Sequence, residues 1–263
     1  MNVEKNYSRI IAVRKRRKAA RKFLLFLRIF FIIIFFAGLV WLFNFLYNND
    51  YFKIKSITVT GNDKYTESEI NKSANVALGF NIFEIDKKDI EDRLINELVW
   101  LKSIEVKKVF PDKIEIAVTE RQPYIKVEYG GKYYIIDNDG VVLDKVSSKE
   151  PRNYDNLLTV RNAIRHEPSI GEKVARKNML ACGYIYNLLD PSLKEMISQA
   201  YISEDFSEDI IFVMSNEKQI IFGTSDRIPD KNALLVQVLD ELSEKKISYS
   251  VIDLRDVDNP IIK

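Results

Sequence analysis

The stretch WLKSIEVKKVFPDKIEIAVTERQP, Trp100–Pro123, decides how the folded part of this chain is read. From Lys113 to Arg121 the side chains alternate: Ile114, Ile116 and Val118 fall on one face, Glu115, Ala117 and Thr119 on the other. A period of two with one apolar face belongs to a half-buried strand. Pro111-Asp112 is a turn pair, because proline presets φ and aspartate bonds to nearby backbone. The run from Trp100 to Phe110 is then the partner strand of an antiparallel hairpin.

Working upstream, residues 54–60, IKSITVT, are rich in β-branched residues and stop at Gly61-Asn62. That composition favours a strand ended by a turn. Thr66 and Glu69 have the spacing of a capping box, which opens a helix running to about Val76 and ended near Gly79. Asp86 is placed to cap a second helix, in which Ile90, Leu94 and Leu98 recur at helical spacing. From Tyr51 to Arg121 the expected order is therefore strand, helix, helix, strand, strand.

Further upstream runs FLLFLRIFFIIIFFAGLVWLFNFLY, Phe23–Tyr47. Roughly 20 apolar residues at about 1.5 Å rise each match a hydrocarbon core of ~30 Å. Trp41 and Tyr47 suit the far interface, and the stem of Arg28 can carry its charge to the near headgroups. Ten basic residues between Met1 and Arg28 face a single acid, Glu4; with 40 basic and 38 acidic residues in all, the rest of the chain is net acidic. A basic flank is retained in the cytoplasm, so the C-terminal body is expected outside it. A cleaved signal peptide would need small residues at an A-x-A spacing, which FNFLYNND lacks. Arg14–Lys18, RKRRK, lies against the membrane and reads as a contact for anionic headgroups rather than for nucleic acid.

Downstream, Tyr124–Val127 and Tyr133–Ile136 are strands about Gly130-Gly131, and Val141–Leu143 is another short strand. A helix is expected from about Glu172 to Leu189, with Ala175, Met179, Cys182, Tyr186 and Leu189 as its core stripe. Residues 210–214 and 219–222 form a hairpin across Asn216-Glu217. Asp230 is placed to cap a last helix whose apolar face is Leu235, Val238, Leu239 and Leu242. The chain closes with an apolar strand, Asn259–Lys263. The fold class is α+β: a transmembrane helix, a β-α-α-β-β unit, and an α+β domain with a mainly antiparallel sheet. The divisions fall at 1–22 for the basic tail, 23–47 for the anchor, 51–122 and 123–263.

The β-α-α-β-β order resembles a POTRA domain. Trp100, Ile104, Val106, Lys108, Phe110-Pro111, Ile114, Ile116, Val118, Glu120-Arg121 and Pro123 resemble the hairpin of the cell-division proteins FtsQ and DivIB. The Ile-Asp-Leu-Arg run, with Asp253 and Arg255, resembles the end of the same family. The resemblance implies that Trp100, Phe110, Pro111, Glu120, Arg121, Pro123, Asp253 and Arg255 are structural motif positions. It implies a divisome scaffold at the septum that binds small bitopic partners, FtsL-like and DivIC- or FtsB-like, and acts on a septal peptidoglycan synthase. The partner contact would fall on Asn259, Pro260, Ile261, Ile262 and Lys263. Alternation would let one isoleucine pack inward while the backbone pairs outward. Family members often continue into a further tail, whose roles do not carry over.

Catalysis finds little support. Cys182, His166 and an arginine would make a sortase-like set, but Cys182 lies on a buried stripe, where a thiol is inert. His166 sits in a charged loop. Asp137-Asn138-Asp139-Gly140 starts like a calcium loop, yet position 12 is Ser148 rather than Glu. No phosphate loop or zinc spacing is present, so no metal, cofactor or nucleic acid is expected. A single cysteine excludes an intramolecular disulfide. A POTRA-bearing adaptor of an export machine is the other reading, and it would call for repeated POTRA units or a β-barrel.

Overall fold

The computed structural model describes residues 3–147, 154–174, 177–204 and 208–263, with side chains from residue 22 onward. Ala175 and Ser148 lie outside these residues, as do the side chains of Arg14–Lys18. The chain forms two compact units. One joins Met1–Thr60, Thr66–Arg93 and Glu105–Ala117; the other joins Gly61–Tyr65, Leu94–Ile104 and Val118–Lys263.

Helix α1 spans Val3–Asn48 and takes in most of the basic tail together with the apolar run. Its apolar portion covers Lys22–Asn48, and the most apolar stretch within it is left exposed by the described residues. Strand β1 (Ser56–Thr60), helices α2 (Glu67–Ala74) and α3 (Lys87–Glu97), and strands β2 (Leu101–Val109) and β3 (Lys113–Glu120) follow in the expected order. Thr66 Oγ1 accepts the Glu69 N–H at 3.2 Å, and the Glu69 carboxylate accepts the Thr66 N–H at 2.8 Å, completing the capping box. Asp86 caps α3 by accepting the Lys88 N–H at 2.9 Å. The sheet order is β1-β3-β2, with β1 parallel to β3. Ile114, Ile116 and Val118 are buried, as the alternation required. Gly61 adopts φ +84°, and a Cβ there would meet the Val118 carbonyl oxygen at 2.1 Å, so only glycine fits this turn.

The rest of the chain builds β4 (Pro123–Tyr129), β5 (Lys132–Asp137), β6 (Val142–Ser147), β7 (Thr159–Arg161), α4 (Lys177–Leu188), α5 (Pro191–Met196), β8 (Ile197–Ile202), β9 (Ile210–Met214), β10 (Gln219–Gly223), α6 (Ile228–Glu244), β11 (Val251–Asp253) and β12 (Ile261–Ile262). Among the described residues these strands form one sheet, ordered β12-β11-β10-β9-β8-β7-β4-β5-β6. The hairpins are antiparallel, but β4–β7, β7–β8 and β10–β11 are parallel, so the sheet is mixed. Met179, Cys182, Ile185 and Leu189 of the α4 region face its core.

Two helix starts differ from expectation. Helix α4 begins at Lys177 rather than Glu172, because residues 171–174 lie along the start of β6: Gly171 N–H bonds to Val142 O, Val142 N–H to Glu172 O, and Val174 N–H to Gly140 O. Backbone spent on that ladder is not free for helix. Asp230 is not the cap of α6. Arg227 holds that position with φ +47°, and Asp230 lies one turn in, paired with Arg227 at 2.9 Å.

Candidate functional site

Among the described residues, strand β12 ends the nine-stranded sheet and pairs on one side only. Lys263 N–H donates to Val251 O at 3.0 Å, and Lys263 O accepts from Val251 N–H at 3.1 Å and Ser250 N–H at 2.6 Å. In the antiparallel register Ile262 stands opposite Ile252, and Ile261 opposite Asp253. Opposed residues share a face, so the two isoleucines lie on opposite faces of the sheet. Neither packs inward: Ile261 is 51% exposed and Ile262 42%, although Ile252 beside it is wholly buried. Alternation allowed one of them to enter the core, and neither does. An internal strand is walled by neighbours on both sides, whereas an edge strand has only one.

The strand is also shorter than expected. Asn259 and Pro260 precede it in a turn, in which the Asp256 carboxylate accepts the Asn259 side-chain amide at 3.2 Å and the Asp258 N–H at 3.0 Å. These bonds hold the Asp256 carboxyl below the usual carboxylate range. Arg227 ties the turn to α6 through Asp258 at 3.2 Å. Of the five positions read from sequence, Ile261, Ile262 and Lys263 make the edge, while Asn259 and Pro260 shape the approach to it.

Asp253 and Arg255 anchor the strand behind that edge. Arg255 Nε donates to Asp253 Oδ1 at 3.0 Å and Nη2 to Asp253 Oδ2 at 2.6 Å, a two-pronged ion pair. Arg255 Nη1 reaches Asp209 Oδ2 at 3.2 Å, linking this corner to the segment before β9. Hydrogen bonding from Arg255 holds the Asp253 carboxyl below its ordinary value. Gly223 leaves room for the stem: a Cβ there would meet Arg255 Cγ at 2.9 Å.

At the other end of the sheet the motif residues form a second staple. Arg121 Nη1 donates to Asp137 Oδ2 at 2.7 Å, and Asp137 is fully buried. Asp137 Oδ1 accepts the N–H groups of Asp139 and Val141, so the acidic turn is closed by its own backbone. Glu120 accepts the N–H groups of Lys64 and Tyr65 at 2.7 and 3.1 Å, and Lys64 Nζ lies 4.6 Å from the Trp100 ring centre. Arg121 N–H bonds to Trp100 O at 2.7 Å, Pro123 opens β4 opposite Asp137, and Phe110-Pro111 forms the hairpin turn through a cis peptide.

The cysteine and histidine do not combine. Cys182 is wholly buried, and burial pushes its thiol up to about 12, so it holds its proton at neutral pH. The His166 ring is exposed and bonded to Glu172 at 2.9 Å. Among the described residues no group of three or more His, Cys, Asp or Glu side chains could hold a metal ion.

A family model described as "POTRA domain, FtsQ-type" matches residues 52–121, and one described as "Cell division protein FtsQ/DivIB, C-terminal" matches residues 125–255. The chain belongs to the FtsQ/DivIB family. It is 29% identical over 216 residues to the cell division protein DivIB of Clostridium botulinum, covering 80% of this chain and 81% of that protein. It is 26% identical over 217 residues to DivIB of Clostridium acetobutylicum, with 80% and 82% covered. With the cell division protein FtsQ of Streptomyces coelicolor it shares 28% over 159 residues, 53% of this chain and 59% of that one. It is thus a member of a cell-division family with a POTRA domain, and its N-terminal helix is long and apolar enough to cross a membrane. In this FtsQ/DivIB chain the sequence pointed to Arg255 and Asp253 but not to Asp209 or Arg227. Asp209 precedes Arg255 by 46 residues, and no local periodicity links them.

Proposed function

We propose that this protein is a non-catalytic divisome scaffold whose β12 edge receives an extended or helical segment of a small bitopic partner, FtsL-like or DivIC-like. The carrying observation is the edge itself: an open strand with two exposed isoleucines, one on each face. Unpaired N–H and C=O groups on such an edge can be completed by a partner's backbone, and apolar side chains flanking it add buried area. The partner residues are Ile261, Ile262 and Lys263, with Asn259 and Pro260 holding the approach. The N-terminus lies in the cytoplasm and residues 51–122 and 123–263, the POTRA and β domains, lie outside. Through its partners the scaffold acts on septal peptidoglycan synthesis. Its single thiol is buried and protonated, which fits a role without thiol chemistry.

The test is live imaging of a fluorescent protein fused to the N-terminus, followed by removal of Asn259–Lys263. A mid-cell band forming as constriction begins, together with loss of partner capture on removal, is the expected result. An even outline around the cell, unchanged through division, would sink the septal reading.

A further inference from the structure

Beyond the edge strand, the first unit carries a second apolar surface at the point where the anchor helix ends. Roughly 20 residues span the ~30 Å hydrocarbon core, so Leu46 and Tyr47, in the last turn of α1, lie at its boundary. Asn81, almost wholly buried, donates its side-chain amide to both: to Leu46 O at 2.8 Å and Tyr47 O at 2.9 Å. Its Oδ1 accepts the Phe83 N–H at 2.9 Å, so the amide is used at both ends. The loop between α2 and α3 is thereby fastened to carbonyls at the depth of the membrane boundary. Ile54 N–H bonds to Phe80 O at 2.9 Å, Gly79 N–H to Ile54 O at 2.9 Å, and Ile82 N–H to Phe52 O at 3.0 Å, which binds the loop to the chain leaving the membrane.

What this loop presents is apolar. Leu78 is 62% exposed and Phe80 54%. Tyr51 and Phe110 are exposed as well. Rings also run continuously from the anchor to the hairpin tip: Phe45 to Phe52 at 6.4 Å, Phe52 to Phe83 at 5.3 Å, and Phe83 to Phe110 at 5.4 Å between centres. Aromatic rings favour the headgroup layer of a bilayer, where an apolar body and a wet rim coexist. Charged side chains frame the patch, with Lys53 paired to Asp50 at 2.6 Å and Lys55 to Asp112 at 2.8 Å.

We propose that Leu78 and Phe80, with Tyr51 and Phe110 beside them, insert into the headgroup layer of the leaflet on the folded side and so dock the POTRA domain on the bilayer surface. The occupant is the lipid, because Asn81 already fixes this loop to the helix at that depth. The anchor then sets a fixed height for the domain rather than acting as a loose tether. An exposed apolar surface of this kind calls for a covering partner, and the membrane is the one that continuity of the chain supplies.

The test places the full-length chain in nanodiscs of phosphatidylcholine and phosphatidylglycerol, loaded at one chain per disc. A nitroxide is attached at Leu78→Cys, at Phe110→Cys and, as control, at Ser68→Cys. Ser68 is exposed in the first turn of α2, at the end of the β1 excursion away from the anchor. The unsubstituted chain serves as the blank, since Cys182 is buried. The expected result is a severalfold loss of collision with a water-soluble nickel chelate at 78 and 110 relative to 68. Collision with oxygen should rise at the same two positions. Adding Phe80→Asp to the Leu78→Cys chain should restore chelate access. Equal access at all three positions overturns the proposal and leaves the face open to a protein partner. Protection seen only when a disc holds two chains overturns it too, assigning the face to a second copy.

Discussion

The two ends of the nine-stranded sheet are built to opposite rules. At the β6 end the segment 171–174 lies along the start of the strand, and Asp144 and Lys145 add charge. At the β12 end no segment covers the strand among the described residues, and two isoleucines stand exposed. Each end also has an arginine–aspartate staple. Arg121 and Asp137 are both sequestered, whereas Arg255 is about half exposed over a nearly buried Asp253. Covering and charge are the usual protections against unwanted strand pairing. Among the described residues one edge is covered and the other is not, and the uncovered one, short and ended by Lys263, is the edge proposed above for pairing.

The largest effect should come from the protected end. Arg121→Ala leaves the carboxylate of Asp137 buried without its cation, and about 3–5 kcal/mol of stability should be lost. Thermal unfolding of the full chain measures this; a loss below about 1 kcal/mol would mean that the staple is incidental. Next in size is Ile262→Asp on β12. Partner affinity should fall by about 2 kcal/mol or more, as for a residue central to an interface, while the melting temperature barely moves. Unchanged affinity in a titration would remove the contrast between the two edges.

Arg255→Ala should cost about 1–2 kcal/mol, less than Arg121→Ala, because water reaches the exposed guanidinium and screens it. It also carries a pH signature. The folded carboxyl of Asp253 lies below its unfolded value, so its contribution is full above the unfolded pKa and disappears as pH falls through the folded one. The difference between wild type and Arg255→Ala should therefore be largest near neutrality and shrink on acidification below about pH 4. A difference that grows in acid would refute the assignment. The smallest effect is reserved for Lys145→Ala on β6, which pairs with Glu167 at the surface. Stability should change by less than about 0.5 kcal/mol, and partner binding should stay as it was. Loss of binding there would mean that both edges are used.

Much of the fold was legible because the signals are local. The alternation at Ile114, Ile116 and Val118, the Thr66–Glu69 box and the apolar run before Tyr47 each carry their own geometry within a few residues. The candidate site was legible only as a place in the chain. The sequence marked Ile261 and Ile262 as a strand, and alternation allowed one of them to pack inward. Their shared exposure depends on where the sheet stops, which no pattern of five residues contains.

Other elements were not readable at all. The three-residue strand β7 and the strand β8, ISQAYI, lack an extended apolar pattern, yet they lie inside the sheet with parallel pairing between them. Asp230 had the right residue type for a helix cap, but the chain placed Arg227 there and used Asp230 as its partner. Glu172 looked helical, and ladder bonds to β6 claimed its backbone first.

The sequence alone determined the anchor, the order of the POTRA elements, the faces of their strands and the family motifs. These rest on hydrophobic period, turn chemistry and caps, which act over one to five residues. Tertiary structure alone decided which strands neighbour one another, that Asp209 completes the Arg255 corner, that Asn81 holds the end of helix α1, and that the described residues leave β12 uncovered. Those outcomes depend on contacts between residues far apart in the chain, where competition for burial and for hydrogen-bond partners selects one arrangement.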